Sequence, residues 1–446
     1  MSGATRVEKD PLGALEVPSS ALYGVQTLRA VQNFPISGQR PLPMFVTAVV
    51  WIKKAAALTH KKTKRLEATL ADAIVQAADE VLANRANEIL GAARGTYAPV
   101  HPNDHVNMAQ STNDVIPTAI RLGALALASD LDASLVILRD ALLEKGRAFD
   151  GILKSGRTHL QDAMPIRLGQ EFHAYGETVE RNRRRIVRAC DDLSDLGIGG
   201  TAVGTGVNAE ARYPALMVKS LRDITGLALR EGTDRVQLMQ SMGDAAALSG
   251  QLRTFATDLA KISSDLRLLA SGPRTALDEI RLPAVQPGSS IMPGKVNPSI
   301  PEMVNQVCCQ VIGNDACIAM AASEGQLELN VMMPVIAHNL FLALGILANA
   351  VRVLAEKCVM GIEANAAMCE YWVERSAALA TALAPRIGYA RAAELSKQSV
   401  QENVLIRELV HREHVLEDAL IEETLDLRRL TDIGVPGGTH GPSSAG

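Results

Sequence analysis

The sequence predicts an all-α protein built around a central bundle of long helices. Three observations carry that expectation. Hydrophobic residues make up 47% of the chain but aromatics only 3%, an Ala- and Leu-rich balance that suits helices packed on helices better than sheets. Apolar residues recur at helical spacing over segments longer than the usual globular helix. Glycine and proline gather in polar connections between those segments, where helix bundles commonly build their sites.

Taken in order, the 446 residues divide into three regions. Residues 1–112 form an N-terminal domain: an irregular start, then helical patterns over Phe45–Lys62 and Leu66–Leu90. Residues 113–367 form the central bundle, with helical segments over Pro117–Arg147, Gly169–Leu196, Asp244–Ala270 and Pro301–Ala322. Residues 368–446 form a small helical C-terminal domain. Its Gly/Pro/Ser-rich end, GVPGGTHGPSSAG, reads as disordered.

Composition excludes several classes of function. A net charge of −4 gives no electrostatic reason to expect nucleic acid or an anionic membrane as partner. The basic run from Arg181 to Arg185 lies in a helical pattern and reads as a solvated or interface face. The six cysteines (Cys190, Cys308, Cys309, Cys317, Cys358, Cys369) show no CxxC pair, so they read as reduced thiols and not as disulfides or zinc ligands. No apolar h-region opens the chain, and no apolar run reads as long and uncharged enough to span a bilayer. The expected location is the cytoplasm.

Four polar connections carry the candidate chemistry. In PGSSIMPGKVNP (287–298), Gly and Pro hold Ser289 and Ser290 in a defined loop with Lys295 and Asn297 close by. Hydroxyls, loop N–H groups and a lysine ammonium together suit an oxyanion or carboxylate. In HPNDHVNMAQSTND (101–114), Ser111, Thr112 and Asn113 precede a helix that Pro117 helps to begin. They are good capping residues, and the same physics lets them bind a carboxylate. In SGRTHLQDAMP (155–165), Thr158 and His159 stand ahead of a helix expected to start at a proline; they suit carboxylate binding or proton relay. Glu302 is a candidate to hold that imidazole in one tautomer, or an ordinary first-turn glutamate. GIGGTAVGTGVNA (197–209) lacks the Walker A pattern and a preceding strand, so its glycines read as points of close backbone approach.

These strings, with TLRAVQNFPISG, SGPRTALDEIRLP and GSSIMPGKVNPSIPEMVNQV, resemble the motifs of the aspartase/fumarase superfamily, in family order and over nearly the whole chain. YGVQTLRA, SIPEMVNQV and LAEKCVMGIEANAAMCE lean towards its ammonia-lyases, while HPNDHVN and NFPISG are shared with or lean towards its fumarases. The resemblance implies β-elimination releasing fumarate from a small dicarboxylate, in cofactor-free and metal-free homotetramers whose central domains form one helix bundle. It implies Ser289 as the general base that removes a Cβ proton, with Ser290, Lys295 and Asn297 binding substrate from the same loop. Ser111, Thr112, Asn113, Thr158 and His159 match carboxylate- and amine-binding positions. His159 is tied to proton handling in fumarases, where the Glu302 position holds it. The implied reaction is L-aspartate to fumarate and ammonia; the alternatives are fumarate hydration to L-malate and a catalytically silent structural homologue.

One departure stands out. Family members carry a Gly-rich segment resembling GGAGTSxNMNxNE ahead of the stretch that matches Ala83–Ala86. Here something on the order of thirty residues is absent between Glu80 and Val81, as judged from motif context. The missing Thr-Ser pair would hold a substrate carboxylate. A continuous helix from about Leu66 to Leu90 is expected to bridge the gap, since Ala, Leu and Glu are strong helix formers.

Overall fold

The computed structural model describes residues 4–77 and 82–435. It is 62% helical, as the aliphatic composition requires. A hairpin of β1 (Thr5–Asp10) and β2 (Gly13–Pro18) opens the chain and is followed by α1 (Val25–Asn33), α2 (Pro43–Lys62), α3 (Ala68–Ala77) and α4 (Leu82–Ile89). The 37-residue α5 (Thr112–Ala148) leads to a second hairpin, β3 (Leu153–Thr158) and β4 (Gln161–Arg167), and then α6 (Leu168–Asp192). Next come β5 (Asp195–Leu196), α7 (Tyr213–Thr225), β6 (Arg230–Glu231), α8 (Arg235–Gln240), α9 (Gly243–Leu269) and β7 (Ile280–Arg281). Two more long rods follow, α10 (Ser299–Ser323) and α11 (Met333–Lys357), then β8 (Glu363–Ala364) and five shorter helices: α12 (Ala366–Arg375), α13 (Ala384–Ile387), α14 (Tyr389–Glu402), α15 (Ile406–Arg412) and α16 (Asp418–Thr424).

The chain forms two compact units, one of Met1–Asp132, Arg184–Thr254 and Cys309–Leu347, the other of Ala133–Arg183, Phe255–Cys308 and Ala348–Gly446. Every boundary falls inside one of the five long helices. In the first unit, Ala48, Ile52, Ala55 and Ala56 of α2 pack with Val115, Ala119 and Leu122 of α5 and Met217 and Leu221 of α7. The i, i+3, i+4 spacing of these small and aliphatic residues lets the helices approach closely. Gly123 shows how closely, because a Cβ there would sit 2.3 Å from the Phe341 ring of α11. In the second unit, Leu379, Leu383, Leu395, Ile406, Leu409 and Ile421 form a core for the C-terminal helices.

The structure corrects several expectations. The helix carrying Ser111–Asn113 at its start begins at Thr112, and Pro117 lies inside it. The Thr158–His159 segment is not ahead of a proline-started helix: Pro165 lies in β4 and α6 begins at Leu168. Two consecutive left-handed residues, His159 (φ 55°) and Leu160 (φ 59°), turn the chain tightly from β3 into β4. That backbone matches the twist of a two-residue hairpin and leaves no room for a helix start. The apolar rod α11 is long and apolar enough, by length and composition, to cross a bilayer, contrary to the sequence reading. Just over half of its apolar window is nevertheless buried inside the protein, the behaviour of a core helix. The Glu80–Val81 junction, the expected continuity of helix between Leu66 and Leu90, and the chain end from residue 436 lie outside the described residues.

Candidate functional site

Serine and threonine begin α5 in a capping arrangement. The Asn113 N–H donates to Ser111 Oγ (3.2 Å), while the Ser111 N–H donates to Asp114 Oδ1 (2.9 Å). This is the reciprocal capping pattern, and it leaves the Ser111 hydroxyl proton free to donate. Thr112 is exposed, and the Asn113 amide donates to the Ala202 carbonyl (2.8 Å). Asp114 has a second task. Its Oδ2 accepts the N–H groups of Gly199 (3.0 Å) and Thr201 (3.1 Å), stitching the start of α5 to the Gly-rich segment. Burial pushes the Asp114 carboxyl above the usual carboxylate range, against the pull of the three N–H groups and of Lys53. Each such charge-assisted bond is worth about 1.5–3 kcal/mol, so Asp114 fixes where Ser111, Thr112 and Asn113 point.

Contrary to the sequence reading, a short strand, β5, does precede that segment, while the segment's glycines make the close backbone approaches expected of them. A Cβ on Gly199 (φ 88°) would fall 2.8 Å from Pro214, and one on Gly204 (φ 94°) 2.6 Å from the Val236 backbone. Only glycine accepts both the left-handed backbone and the approach. Asp114 itself escaped the sequence reading. The signal was present, since Ser111 followed three residues later by an acid is the capping-box spacing.

In the second unit, Thr158 and His159 are exposed at the tip of the β3–β4 hairpin. The hairpin stands on buried charge. Lys154 Nζ pairs with Glu171 (2.8 Å) and Glu279 (3.2 Å), and Arg157 pairs with Glu279 (2.9 Å). Alternate-sign pairing of this kind is costly to break once buried, which holds the tip in register. A left-handed His at an exposed tip is an uncommon conformation of the sort that gathers at functional sites.

The loop at 287–298 takes its shape from its own backbone. Met292-Pro293-Gly294-Lys295 makes a turn with Gly294 at φ 83°, closed by the Lys295 N–H on the Met292 carbonyl (3.2 Å). Proline second and glycine third is the type II signature. The Gly288 N–H donates to the Lys295 carbonyl (2.8 Å), and a Cβ at Gly288 would fall 2.3 Å from that oxygen. The Asn297 amide donates to the Gly288 carbonyl (2.9 Å). Inside this frame, Ser289 Oγ accepts the N–H groups of Ile291 and Met292, each at 3.2 Å. Two donors aimed at one hydroxyl oxygen favour its negative form. Ser290 and Lys295 are exposed. Glu302, in the first turn of α10, lies 3.7 Å from Arg267 and makes no ion pair with His159 within the chain, among the described residues.

The geometry thus yields three pieces: a capped helix start rich in hydroxyls, a hairpin tip bearing Thr-His, and a loop that polarises one serine. A family model described as lyase matches residues 82–313, and one described as the fumarase C C-terminus matches residues 379–432. An aspartate ammonia-lyase of Bacillus subtilis (strain 168) is 42% identical over 461 residues, covering 97% of this chain and 97% of its own. A class II fumarate hydratase of Halobacterium salinarum is 45% identical, covering 98% and 99%. Aspartate ammonia-lyase is the name such relatives carry most often. Among solved structures, the fumarate lyase:delta crystallin of Brucella melitensis bound to cobalt is 44% identical, with a TM-score of 0.91 over 96% of this chain and all of that one. The Bacillus alignment is longer than this chain, although 97% of the chain takes part in it. That relative therefore carries residues this chain lacks, and the lyase match begins just after the Glu80–Val81 junction.

Proposed function

The chain belongs to the aspartase/fumarase superfamily of lyases, and we propose that within it the protein removes ammonia from L-aspartate to give fumarate. The pair of N–H donors on Ser289 Oγ carries this reading. A proton next to a carboxylate is a very weak acid, because its removal places a second negative charge on that carboxylate. A base that strong is available from serine only where its alkoxide is stabilised, and the loop supplies two N–H groups to that oxygen. Lys295, Ser290 and Asn297 are the loop's candidates for the developing dianion, with Ser111, Thr112, Asn113, Thr158 and His159 for carboxylate and amine. Glu302 is assigned to hold His159 from a neighbouring subunit, since within the chain it faces Arg267. Loop closure would exclude water and strengthen each of these contacts.

Ultraviolet absorbance of fumarate tests the reaction, with L-aspartate and then L-malate supplied. Fumarate formed from aspartate and not from malate is the expected result. The reverse pattern assigns fumarate hydration, the activity named for the Halobacterium relative, and no fumarate from either assigns a silent homologue.

The same reading implies a homotetramer with sites shared between subunits, three domains at 1–112, 113–367 and 368–446, and a cytoplasmic setting. Large apolar side chains left open on a long rod support assembly: on α10, Met320 is 73% exposed and Ile312 40%. Light scattering at micromolar concentration is expected to report a tetramer, and a stable folded monomer would sink that part of the proposal.

A further inference from the structure

A cavity of about 540 Å³ lies beside the first turn of α5, lined by Ser111 and Thr112 together with Asn107, Gln110 and Lys53. Among the described residues, Lys53 is the one formally charged side chain in its wall. It comes from α2 and is 8% exposed. Its ammonium donates to Asn107 Oδ1 and Gln110 Oε1, both at 2.8 Å and both neutral acceptors. An ammonium has three protons to give, so one remains. Among the described residues no carboxylate lies within ion-pairing distance of it. The charge that bears on it is Asp114, in the first turn of α5, whose two oxygens are already taken by three backbone N–H groups.

A cation withdrawn from water without an ion pair is costly, and an incoming anion offsets that cost. Burial pushes Lys53 down to about 8, which still leaves it mostly protonated at neutral pH. The start of α5 adds the positive end of a helix dipole and the free Ser111 hydroxyl proton to the same cavity. Among the described residues, no acidic side chain lines it.

We propose that Lys53 is a substrate-binding residue, which with Ser111 and Thr112 forms the subsite for one carboxylate of a four-carbon dicarboxylate. The inference rests on the elimination reading above and adds a residue to it. It carries most weight in a chain short of the Gly-rich Thr-Ser segment, where that carboxylate has fewer other donors. The bland alternative makes Lys53 a strut that does no more than satisfy Asn107 and Gln110.

Calorimetric titration with succinate, a four-carbon dicarboxylate that cannot eliminate, separates the two. Lys53→Met keeps the stem and removes the charge. Succinate affinity is expected to fall about tenfold to a hundredfold, with part of the loss restored in Lys53→Arg. On aspartate, KM should rise with little change in kcat, the mark of binding shared by ground and transition states. A folded Lys53→Met chain that binds succinate like the parent overturns the inference and leaves the elimination reading standing. A parent chain that binds no succinate overturns both. Should Lys53→Met not fold, reductive methylation of the parent followed by mass spectrometry decides the matter. Lys53 is expected to be labelled and succinate to protect it. Labelling that succinate leaves unchanged, or no labelling in its absence, overturns the inference.

Discussion

Ser289→Ala is expected to fold and assemble like the parent chain while losing turnover by about a hundredfold to ten-thousandfold, the usual share of a positioned general base. The loop around Ser289 does not depend on its hydroxyl. Its shape comes from the turn at Met292–Lys295, from the Gly288 approach to the Lys295 carbonyl, and from the Asn297 amide on Gly288. The two N–H groups that lose their acceptor belong to Ile291 and Met292, which are exposed, so water replaces it at a cost of about 1 kcal/mol or less. Succinate binding should therefore survive, and the loss should fall on kcat. That split also separates Ser289 from Lys53, where the loss should fall on KM. Turnover in Ser289→Ala within a few fold of the parent would remove this serine from the reaction.

Much of this framework was legible in the sequence because it rests on local pattern. The long rods announced themselves by apolar spacing, and α9 and α10 fall within two residues of the segments read from the chain. The 287–298 loop was legible because Pro-Gly and Gly-Ser-Ser carry turn chemistry in their composition. What stayed hidden depends on non-local packing or on unusual backbone. The β3–β4 hairpin turns at His159-Leu160, neither of them the Gly, Asn or Asp that marks a two-residue hairpin turn, so nothing in SGRTHLQDAMP announced it. Lys53 and Lys54 form a pair in a helical pattern, and which of two neighbouring lysines is buried depends on how α2 docks. Asp114 went unread, because its hold on the Gly-rich segment joins residues far apart in the chain.

Inserting the Gly-rich Thr-Ser segment between Glu80 and Val81 is expected to raise turnover on aspartate by orders of magnitude. The Bacillus relative carries residues that this chain lacks, and the motif expected ahead of Ala83 is the one not found. A hydroxyl and N–H contact on a dianionic transition state is worth about 2–4 kcal/mol, roughly thirtyfold to a thousandfold in rate. The wall against which the Ser289 loop closes would add to that. The flanks should tolerate the insertion, because each is anchored apart from the junction. On one side Ala71, Ile74 and Ala77 of α3 are buried in a local core. On the other, the Asn84 side chain bonds the Leu22 carbonyl and the Gly95 N–H, and Asn87 bonds both backbone groups of Val100. The opposing view, a helix fused across the junction, predicts that the insertion lowers the melting temperature and gains no activity. The account of the missing segment fails outright if the unaltered chain already turns over aspartate at an ordinary enzymatic rate, on the order of ten per second or more.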